Sequence, residues 1–174
     1  VALAQINTKV GDIRGNLALI RDFAGRARSL GAELAVFSEQ CLAGYPALDL
    51  WEERGFAQAN EAGLKALTRE TGEMGVLLGL VTSNPGRGKP ILNAAALLHR
   101  RKVIALRSKS LLPTYDVFDE ARYFEPSKTN PPISFQGKRL GVTICEDAWA
   151  CASRALYSRD PVAEQVKAGA DMLI

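Results

Sequence analysis

Apolar and polar positions along this chain switch between a helical period and short unbroken apolar runs. Residues 1–6 form an apolar run suited to a buried strand. Residues 12–16 then lead into a helix whose apolar positions Leu17, Ile20, Phe23, Ala24 and Ala27 recur at helical spacing, with Gly31 closing it. Residues 34–37 read as a second buried strand, Gly44-Tyr45-Pro46 breaks into a loop, and a helix is predicted over residues 57–71. Residues 76–82 form a strand ended by the turn cluster Asn84-Pro85-Gly86. Two more strands, 92–98 and 103–107, flank a basic turn, so the sheet becomes mixed. Residues 113–132, with Pro113, Pro126, Pro131 and Pro132, make a long loop, which inside a compact domain points to function more than to a linker. Residues 133–135 and 140–144 read as a hairpin around Gln136-Gly137-Lys138, and residues 161–168 as a helix. The last residues, Asp171-Met172-Leu173-Ile174, have the composition of a buried strand just beginning. A bare apolar strand is a sticky edge, so the chain is expected to be part of a longer polypeptide.

This pattern predicts an α/β fold. With 174 residues, 47% hydrophobic and 24% charged, the chain can bury a sizeable core as one unit. Its net charge of +3 is scattered, and the longest basic run is His99-Arg100-Arg101-Lys102, which disfavours nucleic-acid and membrane roles. No leader pattern or bilayer-length apolar stretch supports export or insertion, and a cytoplasmic location is expected. Cys41, Cys145 and Cys151 include no CxxC pair, which argues against a disulfide framework and a zinc knuckle; no metal site is expected. Cys41 and Cys151 read as packing or surface thiols. Gly86-Arg87-Gly88-Lys89 lacks the frame of a phosphate loop and reads as a turn.

Chemistry gathers at the ends of apolar runs. Phe37-Ser38-Glu39 places an acid, Ser108-Lys109-Ser110 an amine, and Ile144-Cys145-Glu146-Asp147 a thiol, each where α/β proteins carry reactive groups. Each alone has a plain alternative: Cys145 as a small buried hydrophobe, Lys109 as a surface lysine, Glu39 as a capping or solvated carboxylate. Together they supply a base, a cation for an oxyanion and a nucleophile, enough to open an amide. A thiol nucleophile usually works with His, but the chain's only His, His99, sits at a basic turn and reads as solvated. Lys109 is therefore expected to lower the Cys145 thiol pKa and Glu39 to move protons.

These segments resemble the Glu-Lys-Cys signature of the nitrilase, or carbon-nitrogen hydrolase, superfamily. Leu42-Ala43-Gly44-Tyr45-Pro46, the run from Lys109 to Tyr115 with Val117-Phe118-Asp119-Glu120 and Arg122-Tyr123-Phe124, and Cys145-Glu146-Asp147 with Trp149 are similar to the glutaminase domains of the glutamine-dependent NAD synthetases. The resemblance implies a nitrilase-type αββα sandwich, here incomplete at the C-terminus, and a homo-oligomer built by packing sandwiches together. It also implies that Cys145 attacks the glutamine side-chain amide while Lys109 and a backbone N–H near Glu146 hold the oxyanion. Glu39 would give a proton to the leaving ammonia and take one from the hydrolytic water. Tyr115, Phe118 and Glu146 would line the glutamine pocket with Tyr45 close by, and Phe118, Tyr123 and Phe124 could equally be packing anchors. Many relatives carry a second glutamate after the lysine, for which Asp116, Asp119 and Glu120 are candidates.

By the same resemblance the domain itself takes no cofactor. ATP and Mg would belong to a synthetase domain of the same polypeptide, absent from this chain, which would amidate deamido-NAD to NAD. Two rival readings use the same residues differently. A free-standing amidase or carbamoylase would apply Glu39, Lys109 and Cys145 to another amide, and a non-catalytic scaffold would keep the fold without the reaction.

Overall fold

In the computed structural model, which describes residues 1–53, 55–149 and 156–174, five strands lie side by side in one mixed sheet. They are β1 (Ala2–Ala4), β2 (Leu34–Phe37), β3 (Gly75–Ser83), β4 (Ile91–His99) and β5 (Lys102–Ser108). β1, β2 and β3 run parallel, and β3, β4 and β5 pair antiparallel. Two helices, α1 (Ile13–Ser29) and α2 (Phe56–Glu70), supply the crossovers between the parallel strands. The Asp12 carboxylate accepts the Gly15 N–H at 2.8 Å and so caps α1.

Alternation along β3 and β4 sorts the core into two layers. Val76, Leu78 and Leu80 of β3, with Ala96 and Leu98 of β4, pack against Leu17, Ile20, Ala24 and Ala27 of α1 and Leu67 of α2. Leu77, Ala95 and Leu97 face the other way, onto Ile133, Phe135, Leu140, Val142 and Ile144. Those residues belong to or follow a second sheet of β6 (Ile133–Phe135), β7 (Lys138–Gly141) and β8 (Met172–Leu173). Behind it lies α4 (Pro161–Lys167), whose Gln165 side chain donates to the Val142 carbonyl at 2.7 Å. The layer order is helix, sheet, sheet, helix, as predicted.

Local differences from the sequence reading have identifiable causes. A short 3₁₀ turn over Leu48–Glu52 seats Trp51 in a third apolar cluster with Val81, Tyr123 and Phe124, which a local period could not reveal. β7 ends at Gly141, earlier than predicted, yet pairing continues because the Thr143 N–H donates to the Ile174 carbonyl at 2.7 Å. His99 is half-buried, its ring edge-on to Phe135 at 5.3 Å, and the basic turn after it is held to Gly72 and Thr71 by the Arg100 and Arg101 N–H groups. Cys41 is fully buried and its thiol, donating to the Gly79 carbonyl, is pushed up to about 12 by burial, so it is a packing residue. Cys151 lies outside the described residues.

The long loop of residues 113–132 is stitched to its surroundings. Its single helical turn, α3 (Glu120–Tyr123), starts with the Glu120 N–H on the Pro113 carbonyl at 3.1 Å. Farther on, the Ser127 N–H donates to the Lys109 carbonyl at 2.8 Å. The Gly86–Lys89 stretch is a turn, held to the same loop by the Lys89 N–H on the Glu125 carboxylate at 3.0 Å and by the Lys89 ammonium on the Ala121 carbonyl.

Gly79 marks where the segment after β2 crosses the sheet. A Cβ there would lie 2.4 Å from the Gln40 nitrogen, 2.5 Å from the Ser38 oxygen and 2.6 Å from the Glu39 Cα. Backbone cannot retreat as a side-chain tip can, so Gly79→Ala should destabilise the fold by about 1–3 kcal/mol and push Glu39 outward. Urea unfolding checks the first effect.

Candidate active site

Three strand ends deliver the acid, amine and thiol to one place. Glu39 follows β2 in a tight turn where Gln40 takes a left-handed φ of 46°, and the Cys41 N–H returns to the Ser38 carbonyl. Lys109 follows β5, its N–H still on the ladder through the Asn93 carbonyl at 2.8 Å. Its side chain has no solvent exposure, and its ammonium donates to Glu39 Oε1 and Glu120 Oε1, each at 2.8 Å. The surface-lysine alternative therefore falls. Of the three acids weighed after the lysine, Asp116 and Asp119 are exposed, whereas Glu120 is buried on Lys109. Tyr45 Oη also donates to Glu120 Oε1, at 2.9 Å.

Cys145 opens a 3₁₀ turn (Cys145–Ala148) with a left-handed φ of 46°, a conformation that costs a non-glycine residue about 1–2 kcal/mol. The turn is held by Asp147, which is fully buried. Asp147 Oδ1 accepts the N–H groups of Ser110 at 2.9 Å and Leu111 at 2.8 Å, and Oδ2 accepts that of Ile144 at 3.3 Å. One carboxylate thus ties the segment after Lys109 to the residue before Cys145. Burial pushes it up to about 6, against these N–H donors, which draw it down. A cleft of about 210 Å³ between the sheets is lined by Glu39, Gly79 and Cys145, with apolar walls including Leu77, Ala95 and Val142.

Lys109 acts on Cys145 in the expected direction but does not prevail. Lys109 does not leave Cys145 with a depressed pKa: burial, then the Glu39 charge, raise the thiol above its ordinary 9.0, and Lys109 only partly opposes them. The ammonium is already shared by two carboxylates. Burial works to lower Lys109, yet Glu39 and Glu120 more than offset it and hold the amine above its usual value. Burial likewise raises Glu120, against the pull of Lys109. Cys145 is exposed, yet the protein around it shifts the thiol toward its protonated form.

Glu146, beside the thiol, is 3% exposed. Tyr115 Oη donates to its Oε2 at 2.7 Å and Tyr157 also hydrogen-bonds the carboxylate, while its Oε1 is buried without a partner among the described residues. Hydrogen bonding to Glu146, followed by burial, raises the Tyr115 phenol. Phe118 is half-buried with its ring 5.7 Å from Tyr115 and 6.4 Å from Tyr45, joining the four predicted pocket residues into one wall. Tyr123 and Phe124 instead anchor the loop in the third cluster, with Tyr123 Oη on Asp49 Oδ1 at 2.6 Å. Sequence reasoning missed Asn93, whose amide donates to Glu39 Oε1 at 2.6 Å and Glu120 Oε2 at 3.3 Å. The available signal was an isolated Asn in the apolar run Ile91–His99.

A four-layer sandwich carrying Glu, Lys and Cys at converging strand ends defines a carbon-nitrogen hydrolase fold and site. The chain belongs to the carbon-nitrogen hydrolase family, which it matches over residues 1–162. It is 36% identical over 151 residues to a glutamine-dependent NAD(+) synthetase of Thermotoga maritima, covering 86% of this chain and 26% of that protein. A Synechocystis protein of the same name is 33% identical over 183 residues, covering all of this chain and 33% of the relative. This chain thus spans about a quarter to a third of those curated relatives. The solved glutamine-dependent NAD+ synthetase of Acinetobacter baumannii superposes with a TM-score of 0.88 at 28% identity, covering 98% of this chain and 30% of that one. An amidase from Nesterenkonia sp. shares the fold, with a TM-score of 0.81 at 24% identity over 98% of this chain and 61% of its own. No helix among the described residues is long and apolar enough to cross a membrane.

Opposite changes at the ion cluster should move the thiol in opposite directions. Glu39→Gln removes a charge that raises Cys145, so iodoacetamide should alkylate the variant faster than wild type at pH 8. Lys109→Met removes the opposing cation, so alkylation should slow, and stranding two buried carboxylates should cost about 3–5 kcal/mol of stability. Rate-versus-pH profiles and denaturant titration check both.

Proposed function

We propose that this chain is the ammonia-releasing part of a glutamine-dependent NAD synthetase and that it hydrolyses the side-chain amide of glutamine. The observation that carries the reading is the Glu146 carboxylate, buried next to Cys145, with one oxygen on Tyr115 and the other unpaired among the described residues. A buried acceptor of that kind suits the α-ammonium of an amino acid, and the Tyr115 and Phe118 rings would exclude water around it. A simple aliphatic amide has no such group to offer.

In this mechanism Glu39 takes the Cys145 thiol proton as sulfur adds to the amide carbon. The raised thiol supports this coupling, since little free thiolate would exist beforehand. Lys109 and an N–H at the start of the Cys145 turn stabilise the oxyanion. Glu39 then returns the proton to nitrogen, the C–N bond breaks, and ammonia leaves behind a thioester. Glu39 next deprotonates a water that adds to the thioester, after which glutamate departs and sulfur regains its proton. Glu120 and Tyr45 hold Lys109 in place throughout.

A synthetase domain of the same polypeptide would use ATP with Mg to activate the deamido-NAD carboxylate, which the ammonia then attacks. The named relatives support this half of the reading, and a homo-oligomeric assembly is proposed with it from the family resemblance alone. The free thiols Cys41 and Cys145 agree with the cytoplasm, where thiols stay reduced.

The test is NAD formation by the full-length polypeptide from ATP and deamido-NAD, with glutamine or an ammonium salt as nitrogen source. Cys145→Ala should abolish glutamine-driven synthesis and keep ammonium-driven synthesis. If wild type makes no NAD from ammonium, the free-standing amidase takes precedence; if Cys145→Ala still uses glutamine, the scaffold reading does. Glu146→Gln should raise the glutamine KM about 10- to 100-fold, as expected for losing a charged hydrogen bond. It should leave the alkylation of Cys145 at least as fast as in wild type.

A further inference from the structure

Asn93 sits on the inner face of β4, in register with Val81 of β3 and two positions before Ala95, which packs between the sheets. It is 1% exposed. Its amide NH₂ points at both acids of the ion cluster, 2.6 Å from Glu39 Oε1 and 3.3 Å from Glu120 Oε2. Lys109 reaches the same pair from its own side, through Glu39 Oε1 and Glu120 Oε1. The four side chains close a ring in which Glu39 Oε1 accepts from both the amine and the amide, so neither recorded bond uses Glu39 Oε2.

Most buried side-chain amides satisfy both ends, although Asn60, Gln40 and Gln165 also keep an oxygen without a partner among the described residues. Asn93 does not: its Oδ1 is buried without a partner among the described residues. What fixes the amide is the NH₂ end, because turning it over would aim an oxygen at two carboxylates. The residue type also matters. A lysine or arginine here would compete with Lys109 for both acids, an aspartate would add a third negative charge, and a serine would offer one donor where the amide offers two.

We infer that Asn93 is a positioning residue for the reaction, a neutral clamp that fixes the rotation of the Glu39 carboxylate so that Oε2 remains the free basic oxygen facing the cleft shared with Cys145. This rests on the reading of Glu39 as the base. Lys109 alone holds Glu39 at one point and leaves the carboxylate free to swivel about it. A second donor on the same oxygen stops that rotation without changing the charge of the cluster.

The experiment compares wild type, Asn93→Ser and Asn93→Asp in the full-length protein. Glutamine turnover is expressed per iodoacetamide-titrated Cys145, and the pH midpoint of Cys145 alkylation is measured beside it. Asn93→Ser should lose about 10- to 100-fold in kcat, with the glutamine KM within about twofold of wild type. Asn93→Asp should lose at least as much and move the alkylation midpoint upward by about one pH unit, as expected for a new carboxylate against the cluster. Normal kcat per titrated thiol in both variants, with an unmoved midpoint and only a lower melting temperature, would make Asn93 a packing residue and overturn the inference. Should wild type not hydrolyse glutamine at all, the glutaminase reading fails on its own. The alkylation midpoint of Asn93→Asp then decides Asn93: an upward shift keeps it on the cluster, and an unmoved one removes it.

Discussion

An ammonium with no solvent exposure cannot stand alone in a protein interior, and the Lys109 charge organises everything around it. Glu39 from the end of β2 and Glu120 from α3 satisfy it, and these two residues lie 70 and 11 positions away in sequence. The need to bring Glu120 back to Lys109 accounts for the course of the long loop. Its backbone stitches run from Glu120 to Pro113 and from Ser127 to the Lys109 carbonyl. Tyr45 then adds a donor on Glu120, and Asn93 adds one on each acid.

The thiol is placed by a different device. Asp147 carries no substrate-facing role in this arrangement, but its carboxylate gathers N–H groups from the segment after Lys109 and from Ile144. Cys145 is thereby held in a left-handed conformation that the chain would not choose locally. Because that cluster is internally compensated, it orients Glu39 more than it acidifies Cys145. In the proposed mechanism, thiol activation is then proton transfer to Glu39 and depends little on a resting thiolate.

Much of the framework could be read from periodicity. The helices α1 and α2, the strands β2 to β5 and the hairpin of β6 and β7 fall within a few residues of expectation, because burial of one face or of both leaves an unambiguous pattern. The positions of Glu39 and Lys109 just after β2 and β5 were legible for the same reason, whereas Cys145 opens a 3₁₀ turn four residues beyond the end of β7. The 3₁₀ turn around Trp51 was not, since its apolar residues serve a cluster assembled from β3, β4 and α3. Glu120 could not be chosen over Asp116 and Asp119, because three nearby acids on a loop look alike until one of them is buried on the amine.

By itself, then, the sequence determined the α/β alternation, the strand ends that carry the reactive groups and the family those motifs resemble. All of these follow from local hydrophobic period and from short contiguous motifs. Tertiary structure decided which acid pairs with Lys109, that Asn93 joins it, that Glu146 keeps one oxygen open, and that the Cys145 thiol is raised. Each of those depends on the distance and desolvation of charges from separate segments, and electrostatic energy at a buried site is set by that three-dimensional arrangement rather than by residue type.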